Sequence, residues 1–255
     1  MEINEFNYYF KVRPVRDVAL NLGVIYKDLG YNKIDKNKIS QIYKLTERDI
    51  GDEYYLINIS KKVNSICEQE SDRLTKICVQ LQQMWEGYRE EYLNIIRNAF
   101  DIKINYNITD NTYCYLQHLP INEVDLKDNI IYLDCNKNID EIFKNFIIML
   151  TKLILVNRWN YINNWNFNTE FEAKNKIWMF VEIAIDAVFA NSTLGKICNT
   201  PSYKYFYSLK LKGVNMMKHF RDLYNILPLD DFFTEVYIYV RDSYQKIMQF
   251  KNYLY

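Results

Sequence analysis

The feature that most constrains this chain is an apolar stripe that repeats at helical spacing for about ten turns. Val63, Ile66, Cys67, Leu74, Ile77, Cys78, Leu81, Met84, Trp85, Tyr88, Tyr92, Ile95, Ile96 and Ala99 recur every three or four residues. That period marks one buried face of an α-helix. Uninterrupted, the stripe makes a helix of roughly 37 residues and about 55 Å, with Gly87 the expected place for a bend. A helix of that length spans a whole domain as a scaffold, or it faces a partner.

Six glycines and four prolines in 255 residues leave few punctuation points. Such scarcity favours long helices over an all-β fold. Residues Met1–Ser60 read as short mixed elements, with "RDVALNLGVIYKDLG" a helix closed by Gly30 and "KNKISQIYKLTERD" a second helix. Beyond the stripe, "FDIKINYNI", "TYCYLQHLPI" and "NIIYLDC" have the alternation and aromatic content of strands. Helices resume over Asp140–Trp159 and Glu170–Ser192, both strongly apolar. Shorter ones follow at Tyr203–Leu211 and Val214–Asn225, and a last amphipathic helix runs from Pro228 to about Tyr253. The expected fold is α+β and predominantly helical: a small mixed sheet packed on the long helix and two buried helices. No linker or compositional break interrupts it. A single domain over 1–255 is therefore expected, with an N-terminal subregion 1–60, a core 61–193 and a helical C-terminal subregion 194–255.

Charge and motifs exclude several functions. Thirty-two basic residues balance 32 acidic ones, so no global field draws the chain to nucleic acid or an anionic membrane, and neither is an expected partner. The densest basic segment, Lys210, Lys212, Lys218 and Arg221, is followed by acids and reads as a solvated helix face. Five widely spaced cysteines without a C-x-x-C pair, and a start lacking a leader-like apolar run, predict a cytoplasmic protein with reduced thiols. The longest apolar runs are broken by Lys152, or by Glu182 and Asp186, so no membrane span is expected. P-loop, Rossmann and nucleophile-elbow motifs are missing. Cys114 and His118 lie on one strand roughly 13 Å apart, too far for a thiolate–imidazole pair. "DDFFTE", Asp230–Glu235, has the composition of a magnesium motif. It follows Pro228 at a helix start, however, where carboxylates cap free N–H groups.

The informative charges are the buried-looking ones. Lys152 sits inside "NFIIMLTKLILVNRW", and Glu182 and Asp186 are the only charges in "IWMFVEIAIDAVFA". Spaced by four, the two acids share one helix face. Buried carboxylates are costly unless paired, hydrogen-bonded or metal-bound. One solution pairs Lys152 with Glu182. The other lets Lys152 snorkel to solvent while tyrosine hydroxyls hold Glu182.

A long helix, a small sheet ending in the edge strand "NIIYLDC", an apolar helix, and then a helix carrying "W..FVEIAIDAVFA" together resemble the gluzincin-type zincin metallopeptidases. In that family the first buried helix carries H-E-x-x-H and the second supplies a glutamate ligand, often as E-x-x-x-D. The resemblance covers approximately Asn64–Ser192. It makes Glu182 the counterpart of the third ligand and Asp186 its supporting acid. Met149 and Leu153 stand at the histidine positions and Leu150 at the catalytic glutamate. Thioether and alkyl groups cannot hold zinc, so the resemblance implies a degenerate zincin with no metal and no cofactor. Its former cleft, lined by Met149, Leu150, Leu153, Glu182 and Asp186, would bind a peptide or protein partner by strand addition. Two other functions remain open at this point. One is a metal-independent enzyme, possibly peptide-modifying, using Glu182, Lys152 or tyrosines as acid–base groups. The other is a structural helical protein that forms homo-oligomers through the Val63–Ala99 helix.

Overall fold

The computed structural model describes residues 8–27, 33–51, 54–100, 112–119, 122–125, 129–163, 176–198, 204–211 and 213–251. The described chain opens with strand β1 (Tyr8–Val12), followed by helices α1 (Val15–Lys27), α2 (Lys33–Tyr43), α3 (Glu47–Gly51), α4 (Tyr55–Gln69) and α5 (Ser71–Ala99). The apolar stripe is thus divided between α4 and α5. The break is at Glu70 (φ −104°, ψ 6°) and not at Gly87, which lies inside α5. Apolar periodicity does not register this break. Asp72 sits in the first turn of α5, where a carboxylate favours a new helix N-terminus, and the Arg73 side chain pairs with Glu70.

The break lets one stripe serve two cores. Ile59 and Val63 of α4 pack with Val18, Leu22, Ile39 and Tyr43 in a small N-terminal core. Leu74, Leu81, Trp85, Tyr92 and Ile96 of α5 belong to the main core. At 29 residues, α5 alone is about 44 Å long.

Strands β2 (Thr112–Gln117), β3 (Glu123–Asp125) and β4 (Ile130–Asp134) complete a mixed sheet with β1, in the order β1-β2-β4-β3. The first three in that order are parallel: Phe10 stands beside Cys114 and Cys114 beside Ile131. β3 pairs antiparallel to β4, with Val124 opposite Ile131. "NIIYLDC" is therefore interior, and among the described residues the edges are β1 and β3. β1 has no counterpart among the expected elements, because its partner lies about a hundred residues away. Most of the expected strand "FDIKINYNI" lies outside the described residues. Phe10, Cys114, Leu116, Ile131 and Leu133 are buried on one face, against α5 and helix α6 (Ile139–Asn163).

Helix α7 (Lys176–Ala190) follows, with every residue from Ile177 to Phe189 buried. Then come α8 (Leu194–Ile197), a 3-10 turn (Lys204–Ser208), a hairpin of β5 (Lys210–Leu211) and β6 (Val214–Asn215), α9 (Met216–Tyr224) and α10 (Leu229–Lys251). The helix expected over Tyr203–Leu211 is instead the 3-10 turn and the first hairpin strand. The hairpin turns at Gly213, whose φ of +84° suits glycine. α9 starts two residues later than expected because the Asn215 side chain caps it, accepting from the Lys218 N–H at 2.9 Å. The described residues are mostly helical with a small mixed sheet, as expected. Among the described residues no helix is long and apolar enough to cross a membrane.

Candidate functional site

α7 is buried around its whole circumference, so its two carboxylates need partners from neighbouring elements. α6 crosses it on one side, and α9 and α10 pack on another. Lys152 of α6 donates from Nζ to Glu182 Oε1. The lysine is 8% exposed and the glutamate 1% exposed. Of the two solutions open to the sequence, the paired one is formed. Burial pushes the Glu182 carboxyl above its usual range, the Lys152 charge pulls it back, and Asp186 adds a smaller upward push.

Asp186, one turn further along, has a different shell. Arg221 of α9 grips it with two bonds, Nε to Oδ2 at 2.7 Å and Nη2 to Oδ1 at 2.9 Å. The Tyr207 hydroxyl donates to the same carboxylate, and Arg221 Nη2 lies 3.1 Å from the Tyr207 oxygen. A tyrosine hydroxyl thus serves Asp186. Arg221, read as part of a solvated face, is instead a clamp. Its guanidinium is held further above its ordinary range by the bonds to Asp186. An arginine fork matches a carboxylate bidentately, which a lysine cannot do. Neither Arg221 nor Tyr207 could be picked from sequence, since Arg221 stands beside other charges, Lys218 and Asp222, and Tyr207 is one of 23 tyrosines.

The other residues of the expected site fall as follows. Leu150 and Leu153 are fully buried, while Met149 is half-buried against the main core. Only Met149 of the three can meet a ligand without opening the core. Zinc does not fit this donor set. The α6 positions offer a thioether and two alkyl groups, and Glu182 Oε1 is already engaged by an ammonium. Among the described residues no group of three or more His, Cys, Asp or Glu could hold a metal ion. Asp230 of "DDFFTE" accepts from Arg158 of α6 at 2.5 Å, tying α10 to α6.

A second buried polar cluster lies at the carboxyl ends of the parallel strands. Arg13, Gln117, His118 and Asp134 are all at most 6% exposed. Asn136 donates from Nδ2 to Asp134 Oδ1 (2.7 Å) and to the His118 carbonyl (2.8 Å), which leaves its Oδ1 facing His118 Nδ1 at 3.2 Å. That orientation requires the proton on Nδ1. The imidazole does touch a thiol, but it is Cys135 (Sγ to Nδ1, 3.4 Å) and not Cys114. Burial pushes the Cys135 thiol up to about 12, so the contact does not generate a thiolate nucleophile.

No family profile, curated protein or solved structure matches this chain.

Proposed function

We propose that this chain is a non-catalytic, zincin-like protein, a pseudo-metallopeptidase that binds an extended peptide or protein segment along the former substrate cleft. The observation that carries this reading is the Lys152–Glu182 pair. If Glu182 corresponds to the family's glutamate ligand, an ammonium now supplies the positive charge that the metal supplied. The element order supports the same reading: the long α5, a sheet bounded by the antiparallel edge strand β3, the buried α6, then α7 with its E-x-x-x-D. β3 supports the binding mode. An edge strand offers main-chain donors and acceptors to an incoming chain, and α6 packs beneath β3 and β4.

The test is to present the purified protein with an immobilised library of random heptapeptides. Bound peptides are then analysed by mass spectrometry alongside metal analysis of the protein. The expected result is retention of intact peptides at substoichiometric zinc. Peptide cleavage or modification that Glu182→Gln abolishes would replace this reading with the metal-independent enzyme. One equivalent of zinc would overturn it altogether.

A further inference from the structure

The buried polar cluster at the carboxyl ends of β1, β2 and β4 plays no part in the peptide-binding reading. Within it, Asn136 places the His118 proton on Nδ1. Nε2, on the far side of the ring from Asn136, is therefore a bare acceptor. His118 is 4% exposed, and its Nε2 is buried without a hydrogen-bond partner. The Tyr43 ring, at the end of α2, stands edge-on against the imidazole, with centroids 6.3 Å apart and planes at 88°. Tyr43 is 1% exposed, and its hydroxyl is likewise buried without a partner. Protein interiors seldom leave one such atom unmet, and here two belong to rings in contact.

The position favours a ligand. Parallel strands take ligands beyond their carboxyl ends, and binding sites recur where two packing units meet. Both conditions hold here. Tyr43 belongs to the small N-terminal core, whereas His118 directly follows β2 of the main sheet. Entry requires Tyr43 to move away from the end of β2. A seam between two cores opens at less cost than the interior of either.

The unmet bonding is also neutral. Arg13 donates to Gln117 Oε1 and lies over the Tyr132 ring. Asp134 Oδ1 accepts from the Asn136 backbone N–H and from its Nδ2. Both charges are thus engaged inside the cluster. Burial pushes the Tyr43 hydroxyl far above its ordinary range, so it stays a neutral donor. What is left to bond is one imidazole lone pair and one phenol hydroxyl.

We infer that the carboxyl ends of β1, β2 and β4 form a binding site for a small neutral polyol, which donates a hydroxyl to His118 Nε2 and accepts from the Tyr43 hydroxyl. An alcohol matches both atoms because it donates and accepts without bringing a charge. An ion would add a buried charge where Arg13 and Asp134 are already engaged.

The experiment is nuclear magnetic resonance of the full chain carrying isotope-labelled histidine. Only two imidazoles contribute, and His219 on α9 serves as the internal reference. Glycerol, myo-inositol, glucose, acetate and inorganic phosphate are titrated separately. The expected result is an Nδ1-protonated His118 whose Nε2 signal shifts saturably with at least one of the three polyols, while His219 stays still. In Tyr43→Phe that polyol should bind about tenfold more weakly, the loss of one hydrogen bond. If the variant fails to fold, the titrations of the unaltered chain still decide. An Nε2-protonated His118 overturns the proposal, and so does a shift with acetate or phosphate in place of the polyols. No shift with any polyol means that a buried water alone meets these atoms, which overturns it too. None of these outcomes touches the peptide-binding reading.

Discussion

Glu182 and Asp186 sit one turn apart on the same helix, yet they solve burial in different ways. Glu182 accepts from the Lys152 ammonium in a setting where both partners are nearly dry. Asp186 meets a planar fork and a hydroxyl, and the side chain of its cation is 32% exposed. An ammonium removed from water loses its hydration, and one lysine carboxylate bond returns only part of it. A guanidinium that keeps one edge in water loses less and satisfies both carboxylate oxygens. The comparison teaches that the α6–α7 contact carries the costlier charge pair.

The strongest way to break the comparison is to remove one partner at each end. Lys152→Met should destabilise by about 3–5 kcal/mol, because it strands a buried carboxylate. Adding Glu182→Leu should recover most of that loss. Urea denaturation of the single and double variants measures both, and a double variant as unstable as the single one would sink the isolated-pair account. Arg221→Ala should cost less, about 2 kcal/mol, since water reaches the position and Tyr207 stays on Asp186. A larger loss than for Lys152→Met would reverse the ranking.

pH sharpens it further. The folded Glu182 carboxyl is raised above the ordinary 4.5, so the folded state binds its proton more readily than the unfolded state does. The stability this contributes is fully present below the unfolded value and is lost as pH rises through the raised folded value. The unaltered chain should therefore gain stability relative to Glu182→Gln as pH falls toward 4.5, read from denaturant midpoints across pH 4.5–8. A constant difference would mean that Glu182 is not held high. The smallest expected effect is Tyr207→Phe, about 1 kcal/mol, with one bond to Asp186 lost and two remaining. An unchanged midpoint would show that the arginine alone suffices.

Much of this was legible in the residues. Period and composition marked α4, α5, α6, α7 and α10 as helices, and β2 and β4 as strands. The isolation of Lys152 and Glu182 in apolar runs made their pairing one of two solutions. Other features carried no such mark. Arg221 is one charge among several on its helix and Tyr207 one of 23 tyrosines, and β1 in isolation is one short alternating run among several.

What the sequence determined by itself was the inventory of buried faces, because apolar period follows from local helix and strand geometry. It also determined that two acids on α7 would need partners. Tertiary structure decided which partners they found and where the long stripe divided. It also made β4 an interior strand, paired on both sides. Those outcomes depend on contacts between residues far apart in the chain, such as Lys152 with Glu182 and Phe10 with Cys114. A lysine can satisfy a carboxylate or reach solvent, and only the packing of α6 across α7 settles which.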